Sequence, residues 1–138
     1  MAFAGISYLG VLAAAVAGFL FGGVWYGIFS RQWLAAAGKS QKELEPSSSL
    51  AVALMVTAFA QLVMAYVLAG VIGHLGPGQV TLWNGVVAGF FIWLGFVLTT
   101  LVVNHSFQGQ AGMLTVLDGG HWLGVLLIQG AVIGLIGV

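Results

Sequence analysis

Asp118 and His121 stand three residues apart in a stretch otherwise free of charge, and of all the side chains in this sequence they are the best suited to moving a proton. A helix turns about 100° per residue, so Thr115, Asp118, His121 and Gln129 fall within an arc of about 120° and form one polar stripe. Residues three apart on a helix are neighbours, which sets the Asp118 carboxylate beside the His121 imidazole. His105, from a separate segment, is the alternative partner. Either pair could carry protons or a cation. The plainer reading puts Asp118 at a helix N-terminus, where the backbone dipole favours a negative charge. Other chemistries lack their residues. Cysteine is absent, which removes disulfides, thiolate zinc sites and thiol catalysis. Asp-x-x-His alone is a weak metal spacing, so no metal and no cofactor is expected. With no phosphate-binding loop, nucleophile elbow or dinucleotide fingerprint, the sequence does not nominate an enzyme.

The elements that must position these groups follow from charge depletion. The chain has 138 residues, of which 61% are hydrophobic and 4% charged, and its three basic and three acidic residues balance. A soluble domain carries about 25% charged residues, and nucleic-acid binding needs a basic patch that is missing here. Arg31, Lys39, Lys42, Glu43 and Glu45 lie together, and Asp118 stands alone. The uncharged tracts between them are long enough for the roughly 20 residues that cross a bilayer. The cluster Gly73-His74-Leu75-Gly76-Pro77-Gly78 reads as a turn dividing the longest tract. The expected architecture is all-α, an integral membrane bundle of four transmembrane helices forming a single domain over 1–138. Its spans lie near 6–29, 50–72, 80–103 and 114–137, with a charged loop over 30–49. Barrel strands would alternate apolar and polar residues, and Val86 to Leu94 does not. All basic residues fall in that loop, which predicts a cytoplasmic loop, both termini on the opposite side, and a bacterial inner (plasma) membrane as the location. Ser40-Gln41-Lys42-Glu43 matches a capping box, predicting a short interfacial helix that ends near Pro46, with Ser47 to Ser49 as N-caps for the second span.

Small residues recur at helical spacing. Gly10, Ala14, Gly18 and Gly22 form one stripe on the first span, Gly85 and Gly89 begin the third, and Gly120 with Gly124 marks the fourth. Where lipid gives helices no hydrophobic reason to associate, such residues let backbones approach closely. They predict a tight bundle, with a stripe left for a second copy or another subunit.

Polar residues at membrane depth are costly and tend to mark function. Tyr26, Asn104, His105, Asp118 and His121 fall at matching depth near the loop side, and Gln61 lies near mid-membrane. They are expected to converge on one polar cavity with Gln61 as its floor. At 100° per residue Asn104 shares the face of Gly85, Gly89 and Thr100, while His105 points away. The bland readings are a belt of interfacial aromatics for Trp25, Tyr26, Trp33 and Trp83, and interhelical hydrogen bonds for Asn104, Gln61 and Gln129.

Gly22-Gly23-Val24-Trp25-Tyr26 followed by Trp33, Met64-Ala65-Tyr66-Val67-Leu68, and Leu94-Gly95-Phe96-Val97-Leu98-Thr99-Thr100 leading to Asn104 and Phe107 occur in that order. In these motifs the sequence resembles the domain-of-unknown-function 1761 family of small membrane proteins over nearly the whole chain. It departs from the family pattern at Gly27 and Ile28, where relatives often carry Ser-Pro. The resemblance implies a four-helix membrane protein with no assigned activity.

Taken together, the residues lead to a non-enzymatic membrane protein whose partners are the lipid bilayer and copies of itself or other membrane subunits. The alternative is a small transporter or channel built on the polar cavity around Asp118 and His121. A membrane enzyme acting on a hydrophobic small molecule ranks below both.

Overall fold

An apolar tract inside a bilayer has to satisfy its own backbone polar groups, and a continuous helix does so. The computed structural model describes residues 5–40, 43 and 50–137. In chain order the elements are α1 (Tyr8–Ile28), a short α2 (Ser30–Ala37), α3 (Leu50–Gly73), α4 (Leu82–Ile92), a π-helical segment (Trp93–Leu98), α5 (Thr99–Phe107) and α6 (Gly112–Ile136). The segment from α4 to α5 is one continuous rod, Leu82–Phe107, so four helices are long and apolar enough to cross a membrane. Among the described residues there is no strand.

Local signals start and stop these helices. The Ser7 hydroxyl accepts from the Gly10 N–H at 3.1 Å, and Thr81 accepts from Asn84 N–H at 3.2 Å, each satisfying one free donor at a helix start. Between α3 and α4, Gly76-Pro77-Gly78-Gln79 closes with Gln79 N–H on Gly76 carbonyl at 3.1 Å, and Gly78 has φ 75°. A positive φ after proline is the type II turn that glycine permits. A short helix, α2, forms upstream of the capping-box stretch. It ends where Gly38 turns left-handed, with Lys39 N–H reaching back to Leu34 carbonyl at 3.0 Å. Of the box itself, residues 41–42 lie outside the described residues, as do Pro46 and Ser47 to Ser49.

α6 is the hub: it packs against every other helix of the bundle. Its approach to α4 is set by glycine. A Cβ at Gly85 would run into the Gly130 carbonyl and one at Gly130 into the Gly85 carbonyl, while a Cβ at Gly134 would strike that of Thr81. On the α1 side the small residues receive side chains. Gly124 faces the Phe21 ring, and Gly120 faces Trp25, whose ring lies 2.9 Å from where its Cβ would stand. The stripes read from the sequence therefore serve the bundle's own interior.

The apolar core lies away from the charged loop. Val11, Ala14 and Ala15 of α1 meet Leu68, Ala69 and Ile72 of α3, with Leu126 and Ile133 of α6 alongside. α3 is buried only from Gln61 onward, and its first ten residues, Leu50 to Phe59, are all exposed. The loop-side half of α3 thus stands off from α1, leaving a cleft.

The glycine crossing makes a direct prediction. Gly85→Ala or Gly130→Ala forces backbone apart and should cost about 1–3 kcal/mol or more in overpacking. Gly27→Ala, where a Cβ meets nothing within 4 Å, should be neutral or mildly stabilising. Thermal unfolding in detergent micelles distinguishes the two cases; equal melting temperatures for all three variants would reject the account.

Candidate functional site

Asp118 is the seventh residue of α6, counting Gly112 as the first, which places it beyond the first turn where the helix dipole acts. Its carboxylate is held by side chains instead. Oδ1 accepts from the Tyr26 hydroxyl at 2.7 Å and from the Trp33 indole N–H at 3.0 Å. Oδ2 lies 3.9 Å from His105 Nε2, and the two side chains are only 18% and 12% exposed. The other ring nitrogen of His105 is 2.8 Å from the Thr115 hydroxyl. Polar groups therefore line up from Tyr26 on α1 through Asp118 on α6 to His105 on α5 and back to Thr115, hydrogen-bonded except across the 3.9 Å between acid and imidazole.

Two further indoles clamp the same stretch of α6. Trp25 donates to the Leu117 carbonyl at 3.1 Å, and Trp93 donates to the Gly119 carbonyl at 2.8 Å. With Trp33 on Asp118, three tryptophans grip three consecutive residues. The belt reading misses this for Trp25 and Trp33, because an indole at membrane depth satisfies its N–H either in interfacial water or on a protein acceptor. Trp83 is 73% exposed, as an interfacial aromatic would be.

Of the two imidazoles that spacing offers to Asp118, the carboxylate approaches that of His105. His121 packs its ring on Tyr26, with centroids 4.7 Å apart, and stacks on Phe21 at 6.2 Å. Gly22 makes room for it: a Cβ there would stand 2.9 Å from His121 Nε2. His121 Nδ1 is buried without a hydrogen-bond partner.

Asn104 takes no part. It is exposed, while His105 turns inward. The π-helical segment explains the exchange. A π turn admits one residue more than an α turn, which rotates everything beyond Leu98 back by about 100°. His105 then occupies the direction that a regular helix would give Asn104. The widened turn is braced by hydroxyls: Thr99 donates to the Gly95 carbonyl at 2.9 Å, and Thr100 donates to that of Phe96.

Gln61 forms the deep end of the loop-side cleft. It is 1% exposed, and its side-chain oxygen accepts from Gln129 Nε2 at 2.6 Å across the bundle. Gly18 leaves space for this amide pair. The cleft has a volume of about 330 Å³, and its wall includes Tyr26, Thr57, Gln61, His121 and Trp122. The groups expected to converge thus divide in two. Asp118 and His105 lie behind Tyr26, Gln61 and His121 lie in front of it, and Tyr26 belongs to both. Among the described residues no three His, Asp or Glu side chains converge as metal ligands do.

Fold and composition together define a polytopic, all-helical membrane protein with a polar cluster toward one end of the bundle. The chain matches the family described as "Protein of unknown function (DUF1761)" over residues 9–134, nearly its whole length, and belongs to that family. No curated protein and no solved structure matches it.

Trp33→Phe keeps the ring but removes the N–H that ties α2 to Asp118. A single interhelical hydrogen bond of this kind is worth about 1 kcal/mol. Amide exchange over Trp33 to Ala37 should therefore accelerate while α6 stays protected. Unchanged protection of α2 would show that another contact holds it.

Proposed function

We propose that this protein is a small membrane carrier in which protonation of Asp118 is linked to occupancy of the loop-side cleft. The observation that carries this reading is the double role of Tyr26. Its hydroxyl bonds the carboxylate, and its ring packs at a tilt against His121 in the cleft wall. A solute that displaces the ring alters the donors around Asp118. A proton arriving at Asp118 goes to Oδ2, which no donor occupies, and leaves Oδ1 a neutral and therefore weaker acceptor for the phenol. A carboxylate beside an imidazole, with nearly all other charge excluded, is an arrangement suited to taking up and releasing protons within a membrane. The three basic residues of the loop support a cytoplasmic opening for the cleft, with both termini outside, and a bacterial inner membrane is compatible with that orientation.

Liposomes containing the protein and a trapped pH dye should discharge an imposed pH gradient faster than empty ones. Asp118→Asn should abolish the difference, and Tyr26→Phe should reduce it. Equal rates for wild type and Asp118→Asn would end the carrier reading.

A second reading, as an oligomer or accessory subunit, is favoured by one face of α1. Gly27 faces open space beside the exposed side chains of Leu20, Val24 and Ile28. A flat strip of this kind suits close helix association. Mass photometry in nanodiscs should then give a multiple of the 14.3 kDa chain, falling to one copy in Gly27→Leu. Single copies for both proteins would remove this reading.

A further inference from the structure

The loop-side cleft continues along the same seam between α1 and α3. A second hollow of about 240 Å³ is lined by Leu12, Ala15, Val16, Phe19, Ala58 and Leu62, all apolar. Phe19 borders both hollows, so the two meet at its ring. From Leu12 to Phe19 the apolar part runs seven residues, about 10 Å of helix. It spans the middle of α1 and reaches toward its Tyr8 end, and the polar part lies toward the charged loop. An amphiphile entering from the loop side lies in the same sense, with its head toward the loop and its tail reaching across the midplane.

The head is specified by what lines its place. The cleft wall holds aromatic rings, an amide and an imidazole, and no formally charged side chain. A charged head drawn into such a wall would lose its water without gaining a counterion. The Asp118 carboxylate, the nearest charge, has its Oδ1 covered by Tyr26 and Trp33. His121, only 6% exposed, carries a ring nitrogen without a hydrogen-bond partner. That nitrogen is closed to the cleft, but Nε2 of the same ring faces the space beside Gly22 in the cleft wall, where a hydroxyl or carbonyl can pair with it.

We infer that the α1–α3 seam is a laterally open site for a neutral amphiphile, one whose uncharged head carries hydroxyl or carbonyl groups and whose single tail segment lies along Leu12, Val16 and Phe19. The inference rests on reading the cleft as a ligand site; it does not rest on proton linkage.

The test is photolabelling of the full chain in phosphatidylcholine vesicles. The probes are a diacylglycerol, a phosphatidylglycerol and a trimethylammonium amphiphile, all bearing the same diazirine tail. The diacylglycerol should label the seam, at Leu12 to Phe19 and Ala58 to Leu62, about tenfold more than the outer face at Phe90, Phe91 and Phe96. The charged probes should show no such preference. Ala58→Phe fills the apolar part from an exposed position, away from the polar cluster, and should cut seam labelling several-fold. His121→Phe should erase the preference for the hydroxyl head while tail labelling persists. Even labelling of all four spans would mean annular lipid only and overturn the inference, as would equal labelling by a charged probe or no effect of Ala58→Phe. Seam labelling that survives in Asp118→Asn, with proton flux lost or never present, keeps the site and bears on the carrier reading alone. Flux intact with no seam labelling rejects the site alone.

Discussion

A carboxylate inside an apolar bundle must find hydrogen-bond donors, and Asp118 finds them on elements that are far apart in sequence. Tyr26 comes from α1 and Trp33 from α2, while the His105 imidazole of α5 faces the other oxygen at 3.9 Å, beyond hydrogen-bond length. Because desolvating an unpaired charge is so costly, these elements cannot settle independently. α2 folds back against α6 so that its indole reaches the acid. α1 presents Tyr26 on the turn next to Gly22, where there is room for His121 between the helices. The polar cluster is thus a structural clasp as well as a site.

That clasp depends on how closely the helices approach. Where α4 crosses α6 the backbones touch through Gly85, Gly130 and Gly134, with no side chain between them. On the other flank α6 offers glycines to the bulky rings of α1, so Phe21 and Trp25 enter without pushing the helices apart. Close contact on one side and filled notches on the other hold α6 at the centre. Its polar stripe then faces α1, α2, α3 and α5 rather than lipid. The same geometry leaves α3 attached by only its second half, from which the cleft arises.

The spans were legible in the sequence because charge is nearly absent from them and crowded between Arg31 and Glu45. Tyr26, Gln61, Asp118 and His121 could be singled out because a polar group on an apolar helix needs a reason. Other features could not be read. The π-helical segment has no compositional signature, so a constant turn per residue assigned the inward face to Asn104 instead of His105. An indole N–H does not announce whether it will meet water or a carbonyl, which concealed the roles of Trp25 and Trp33. The division of the polar groups around Tyr26 depends on where α3 begins to pack, and that is settled by the partner helices rather than by its own residues.

The wide turn at Trp93 to Leu98 is a dislocation in the helical ladder, and dislocations can glide. Residues on its far side keep the same neighbours along the chain but face a different compass direction. The seat opposite Asp118 is taken by His105, where an unbroken α-helix would have put Asn104. With the extra residue accommodated before them, the seat holds a group that can accept and give up a proton; with it accommodated after them, the seat would hold an amide that can do neither. A backbone irregularity packed beside the Asp118 turn of α6 thus decides which kind of side chain the acid meets.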